Sequence, residues 1–217
     1  MNDLMLASLK SYWERLRAGR IAPYRAEIDP RQFESALENM FIVERIGPDN
    51  MRIRLAGMKV CEMLGLEVRG MQPSFLLEEA DRVRFDRLLN VVMSEPAVVE
   101  MQLTAPNRVG SYRATMLLMP LRSDFGDINR VLGCLSGESD NFTAPLSFSI
   151  RDTTTTPIEQ PQPVPEPRAA MPGFAEETAA FAGAPEAPKL RAIDGGNQAA
   201  PSKPRPGVRR FRVIDGK

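Results

Sequence analysis

Residues 39–71, NMFIVERIGPDNMRIRLAGMKVCEMLGLEVRGM, leave a chain few ways to fold. Residues 40–46 are rich in β-formers, and Gly47-Pro48-Asp49-Asn50 is a strong turn signal. In residues 51–55, Met51, Ile53 and Leu55 alternate with Arg52 and Arg54. One face of the second strand is therefore apolar and the other charged, the mark of a half-buried antiparallel hairpin. Residues 59–64 then give one or two helical turns closed by Gly65, and Gly70 marks a second bend.

The chain before this hairpin reads as helical. Met5, Leu9, Tyr12, Trp13 and Leu16 fall on one stripe at helical spacing, with Lys10, Glu14, Arg15 and Arg17 largely off it. Gly19 stands where a C-terminal cap belongs, and Pro23 follows as a stop. Asp29 is placed to cap a second, short helix with Pro30 at its first position. Arg20 and Arg25 are candidates for tying the intervening loop to a carboxylate such as Asp29.

After the hairpin, Ser74 or Glu78 opens a longer helix to about Met93, its apolar face expected at Val83, Leu88, Leu89 and Val92, and Pro96 ends it. Three strands follow, at residues 97–104, 111–120 and 128–137, with connections short enough for a meander. Residues 116–119 are apolar on both faces, and Leu132 and Cys134 oppose Val131 and Leu135. A sheet apolar on both faces needs cover on both sides. The central helices supply one cover, and the N-terminal helix or a second subunit the other.

Proline divides the rest. Twelve of the 19 prolines lie at or after Pro145. From Asn141 onward a Thr- and Pro-rich stretch gives way to Ala/Glu/Pro-biased sequence, a composition expected to stay unfolded. The expected organisation is residues 1–38 as helices and loop, 39–139 as a folded core and 140–217 as a disordered tail. The tail carries LRAIDGG at residues 190–196 and again, as FRVIDGK, at 211–217. Such a repeat has the form of a short recognition motif. The basic end offers only Phe211 as a base-stacking aromatic, so nucleic-acid binding is not expected.

The chain has no histidine. That removes the commonest general base, zinc ligand and proximal haem ligand. Two cysteines are too few for a disulfide framework or a metal site. No Gly-rich phosphate loop and no paired core carboxylates are present, so no catalytic residues are expected and the chain reads as non-enzymatic. No apolar run approaches the ~20 residues needed to span a bilayer, and residues 1–10 lack the pattern of a signal peptide. A cytoplasmic setting, away from membranes, follows.

The order strand, strand, short helices, longer helix, three meander strands resembles the PAS fold. RLAGMKVCEMLGLEVRGM, residues 54–71, is similar to the PAS core, where a strand runs into a short helix ending in Gly and a second Gly closes the next turn. YWERLRAGRIAPYRAEIDP, residues 12–30, resembles the opening of small single-PAS proteins of alphaproteobacteria, its signature loop holding Gly19, Arg20, Pro23, Arg25, Asp29 and Pro30. The resemblance spans roughly residues 9–137. It implies an α+β fold, a five-stranded antiparallel sheet with helices on one face and the N-terminal amphipathic helix on the other. It also implies a sensory or regulatory module in signal transduction, homodimeric through the N-terminal helix and outer sheet face, with a signalling protein as partner. On that basis Ile53, Leu55, Val60, Met63, Met101, Leu103, Met116, Leu118 and Leu132 are candidate pocket residues. Met5, Leu9, Tyr12, Trp13 and Leu16 are candidates for the dimer interface. No cysteine lies in a photochemical flavin context, which disfavours a blue-light flavin as it does haem; an unidentified small molecule remains compatible. The other reading is a dimerising adaptor with an empty core, whose basic tail binds a protein or a nucleic acid.

Overall fold

The computed structural model describes residues 2–48, 50–108 and 110–159, so the repeated motif and the basic end lie outside the described residues. The expected apolar stripe builds helix α1 (Asn2–Arg17), which stops where Ala18 (φ 47°) and Gly19 (φ 79°) turn left-handed. Three short 3-10 turns follow, Arg25–Glu27, Pro30–Gln32 and Glu34–Asn39. Asp29 starts the second, its carboxylate accepting from the backbone N–H of Arg31 at 3.2 Å. Strands β1 (Met40–Gly47) and β2 (Asn50–Ala56) form the hairpin, and α2 (Met58–Leu64) ends at Gly65 in the left-handed region. A 3-10 turn (Pro73–Leu76) leads into α3 (Glu79–Ser94). Then come β3 (Ala97–Pro106), β4 (Ser111–Arg122), β5 (Ile128–Gly137) and β6 (Ser149–Pro157).

All strands pair antiparallel in one sheet of order β2-β1-β5-β4-β3-β6. Its inner face packs on α2, the Pro73–Leu76 turn and α3; its outer face is covered by α1 and the loop after it. The two-faced strands explain this directly. Met116 and Leu118 enter the inner cluster and Leu117 and Met119 the outer one, while Val131 and Leu135 are separated in the same way from Leu132 and Cys134. Gly133 is the one β5 position facing Phe41, whose ring would overlap any added Cβ. Along α3 the buried residues are Phe85, Leu89, Val92 and Met93, and Val83 is exposed. Val83 lies two positions before Phe85, about 200° around a helix of 3.6 residues per turn, and so points to solvent.

The sixth strand corrects the expected boundary. Residues 149–157, SIRDTTTTP, lie in the stretch expected to be unfolded, yet they pair with β3 from Thr104↔Ser149 to Ala97↔Pro157. The preceding segment is pinned to the core. Tyr112 donates its hydroxyl to the Ser139 carbonyl at 2.5 Å, Lys59 pairs with Asp140 at 2.6 Å, and the Leu146 N–H donates to the Met63 carbonyl at 2.7 Å. Leu146 and Phe148 are buried, at 2% and 0% exposure, within the inner cluster. Burying a Leu or Phe side chain fully contributes about 1.5–3 kcal/mol, enough to order a strand whose own side chains are mostly exposed.

Candidate functional site

Seven of the nine candidate pocket residues come together. Ile53, Val60, Met63, Met101, Leu103, Met116 and Leu118 share the inner cluster, each at most 1% exposed. Among the described residues they share no common open chamber, because Phe85 and Leu89 from α3 and Leu146 and Phe148 from the returning segment pack into the same cluster, although Met63 also borders a cavity of about 200 Å3 with Met5, Lys59 and Asp140. Leu55 and Leu132 lie elsewhere. The β1–β2 pairing passes from Val43↔Ile53 to Ile42↔Leu55, leaving Arg54 as an extra residue. This bulge breaks the alternation that puts Ile53 and Leu55 on one face, and Leu55 is 44% exposed. Leu132 pairs with Ile42 and belongs to the outer cluster with Leu9 and Trp13.

The stripe expected to join two subunits is used within the chain. Leu9, Tyr12 and Trp13 are buried against the outer sheet face, with Met5 and Leu16 packed at the margin. The Tyr12 hydroxyl accepts from the Asp29 N–H at 2.9 Å, and its ring meets Phe33 at 5.0 Å. Met5 and Leu16 keep some exposure.

A polar cavity of about 150 Å3 opens between β2, the Pro73–Leu76 turn and α3, lined by Met51, Gln72, Pro73, Ser74, Asp86 and Asn90. Asp86 and Asn90, at i and i+4 on α3, flank the buried Phe85 and Leu89. Burial pushes the Asp86 carboxyl above the usual carboxylate range, and a hydrogen bond from Ser74 offsets this only in part. Arg45 approaches from β1, donating to Asn90 Oδ1 at 2.9 Å and Ser94 Oγ at 3.3 Å. Its Nε and the Oδ1 of Asn50 are buried without partners. Sequence reasoning missed this group; the i, i+4 pair of Asp86 and Asn90 beside an apolar stripe is the signal that marks it.

On the outer face the signature loop is clamped. Arg20 donates to the Leu16 and Arg17 carbonyls at 2.7 and 3.0 Å and to both oxygens of Glu27 at 3.0 Å. Its carboxylate partner is thus Glu27, not Asp29, which pairs with Arg31. Asp29 caps as expected, but what it begins is a three-residue 3-10 turn rather than a short helix, and the Pro23 carbonyl accepts from the Arg122 N–H at 2.9 Å. Arg25 instead lines a groove with Arg54 and Arg130, two residues not singled out from the sequence.

A model of the PAS domain family matches residues 1–136. The chain belongs to the PAS domain family. Its fold is accordingly an α+β PAS fold, with six strands among the described residues where five were expected. The PAS match ends one residue before the end of β5, so the returning segment and β6 lie beyond it. Among solved structures, the light state of the blue-light photoreceptor Aureochrome1 LOV aligns at 21% identity over 49% of this chain and 86% of that one, with a TM-score of 0.36. The LOV protein of Rhodobacter sphaeroides aligns at 16% identity over 52% and 70%, with a TM-score of 0.36. An RNA-binding Light-Oxygen-Voltage receptor aligns at 18% over 52% and 34%, with a TM-score of 0.38. No curated protein matches the chain. No helix among the described residues is long and apolar enough to cross a membrane.

Proposed function

We propose that this PAS protein is a non-enzymatic regulatory module of bacterial signal transduction that acts mainly through protein contacts, with its inner face occupied by its own chain. The observation that carries the reading is the insertion of Leu146 and Phe148 into the closed cluster holding seven candidate pocket residues. Interiors packed in this way gain their stability from contact density, and a large guest has to displace those side chains. The resemblance of residues 12–30 to alphaproteobacterial single-PAS proteins, and a cytoplasmic setting compatible with the two free thiols Cys61 and Cys134, belong to the same proposal. A homodimer also belongs to it, built from side chains other than Leu9, Tyr12 and Trp13, which the chain's own sheet takes up.

A second reading, sensing of a small ligand, is favoured by the cavity beside Asp86. Its volume, about 150 Å3, is that of an engineered cavity that admits benzene. Its wall of Gln72, Ser74, Asp86 and Asn90 suits a compact ligand rich in hydrogen-bond donors.

Native mass spectrometry of the freshly purified full chain, paired with its denatured mass, tests both. The bare sequence mass, in a monomer or dimer, supports the protein-contact reading. Extra mass of under about 150 Da, lost on denaturation, supports the small-ligand reading. A bound group of cofactor size would overturn the first reading, since the inner face would then have to open around it.

A further inference from the structure

Arg25, Arg54 and Arg130 come from three separate elements, the 3-10 turn Arg25–Glu27, β2 and β5, and converge on one groove of about 430 Å3. Glu44 lies between two of them. Arg130 donates to its Oε1 through Nε at 3.1 Å and Nη2 at 2.9 Å, and Arg54 Nε donates to its Oε2. Burial works against the Glu44 carboxylate, but the two guanidiniums outweigh it and hold its pKa below the usual range. Glu44 is therefore saturated by cations, while each guanidinium, with five N–H donors in all, keeps several unspent. Arg25 forms no ion pair or side-chain hydrogen bond among the described residues, although Arg20, Tyr24 and Glu27 around it are tied to one another. Arg20 locks Glu27, the Tyr24 N–H donates to Glu27 at 2.7 Å, and the Arg20 and Arg122 guanidiniums lie over the Tyr24 ring. A rigid loop thus holds an unspent arginine over a groove that already contains two more.

We propose that this groove docks an acidic, partly apolar peptide segment of a partner protein. The proposal rests on the protein-contact reading and names the surface it uses. Three guanidiniums against Glu44 and Asp124 leave the groove with excess positive charge, and arginine forks match carboxylates in two-point geometry. Ile42 and Ala26 add apolar surface to its lining, and Phe125, next in sequence to the lining residue Asp124, is 94% exposed. Arginine and aromatic side chains are the types enriched in protein-binding hot spots. Phe125 offers a single exposed aromatic, where binding of a single strand draws on successive stacking platforms, which favours a peptide over a nucleic acid.

The test measures fluorescence anisotropy of a labelled octapeptide, Glu-Leu-Asp-Glu-Leu-Glu-Asp-Glu, with the full-length protein at low salt. Saturable binding is expected, weakening at least tenfold in Arg25→Glu and less than twofold in Arg108→Glu, at the opposite end of the sheet. Unchanged melting temperatures keep both variants interpretable, since neither side chain holds an ion pair among the described residues. Equal binding of a peptide with Lys in place of every acid would overturn the proposal. So would equal losses in the two variants, or displacement by inorganic phosphate at the peptide's own concentration, which would make the groove a small-anion site. Absence of saturable binding overturns it as well, whether the groove is then filled by the chain's own acidic residues 159–186 or by a second copy. The native mass reports on the core and not on this groove, so either reading can fail alone.

Discussion

The indole Nε1 of Trp13 donates a hydrogen bond to the carbonyl oxygen of Pro120 at 3.0 Å, inside the outer cluster and across 107 positions of sequence. This one bond fixes the rotation of α1 on the sheet, and it shows why the Trp13 stripe is spent within the chain. Trp13→Phe keeps an aromatic ring but orphans the buried acceptor, at about 1–3 kcal/mol. Trp13→Arg places an unpaired charge among apolar side chains and is expected to unfold the outer layer. Urea denaturation followed by circular dichroism measures both; a Trp13→Arg protein as stable as the wild type would remove α1 from the core.

The returning segment makes its own prediction. Phe148→Ala should cost about 3–5 kcal/mol, the range for truncating a buried Phe, although Phe148 lies beyond the residues that the PAS family model matches. Leu118→Asp, at the centre of the inner cluster with no exposure, should prevent folding. Thermal melts compare the two, and a neutral Phe148→Ala would mean that the segment only rests on the fold.

Asp86 and Glu44 should give opposite pH signatures. Because burial raises the folded-state pKa of Asp86, the folded protein holds that proton more tightly than the unfolded chain. Stability then falls as pH rises from the unfolded value, near 3.9, through the raised folded value. Asp86→Asn is therefore expected to raise the melting temperature at pH 7, with the gain vanishing near pH 3. For Glu44, Arg54 and Arg130 depress the folded pKa against the effect of burial. Its contribution is present above the unfolded value, near 4.3, and is lost as pH falls through the folded one. Glu44→Gln should lower the melting temperature at pH 7 and matter less on acidification.

Burial pushes the Cys134 thiol up to about 12. Cys61 is only half-buried, its sulfur 3.8 Å from Glu67 Oε1. A thiol-specific chromogenic reagent at pH 8 should titrate one thiol in the folded protein and two in denaturant, since the thiolate is the reactive form. Two fast thiols in the folded state would contradict the placement of β5 between the two layers.

Much of this was legible because periodicity reports burial. The stripe of α1 and the two-faced β4 each carried their partners in their spacing. The misses have physical causes. Leu55 shares a face with Ile53 only in a regular strand, and the bulge at Arg54 is invisible to alternation. Leu132 sits in a strand apolar on both sides, where the pattern says that two layers exist but not which is which. Residues 149–157 look too polar to fold by themselves. Their anchors are Leu146, Phe148 and Ile150 at or before their start, and their Thr run suits a strand once those anchors are seated. The Arg25 groove unites residues distant in sequence, and the local pair Asp86 and Asn90 gains its cavity only where Met51 and residues 72–74 meet α3, so the tertiary structure completes both sites.

The late position of β6 also has a consequence for synthesis. Chains fold as they emerge, N-terminal part first, and β3 meets its outer neighbour only when residues 149–157 arrive. Until then the β3 backbone is an open edge and the cleft later filled by Phe148 is bare, the two features that recruit other chains into aggregates. A ribosome stalled, or a protease cutting, between Gly137 and Ser149 would release a product that retains the family-matched residues but lacks their seal. Among the described residues, β6 and the segment before it are what close this edge and this cleft, so a chain lacking them presents both to its neighbours.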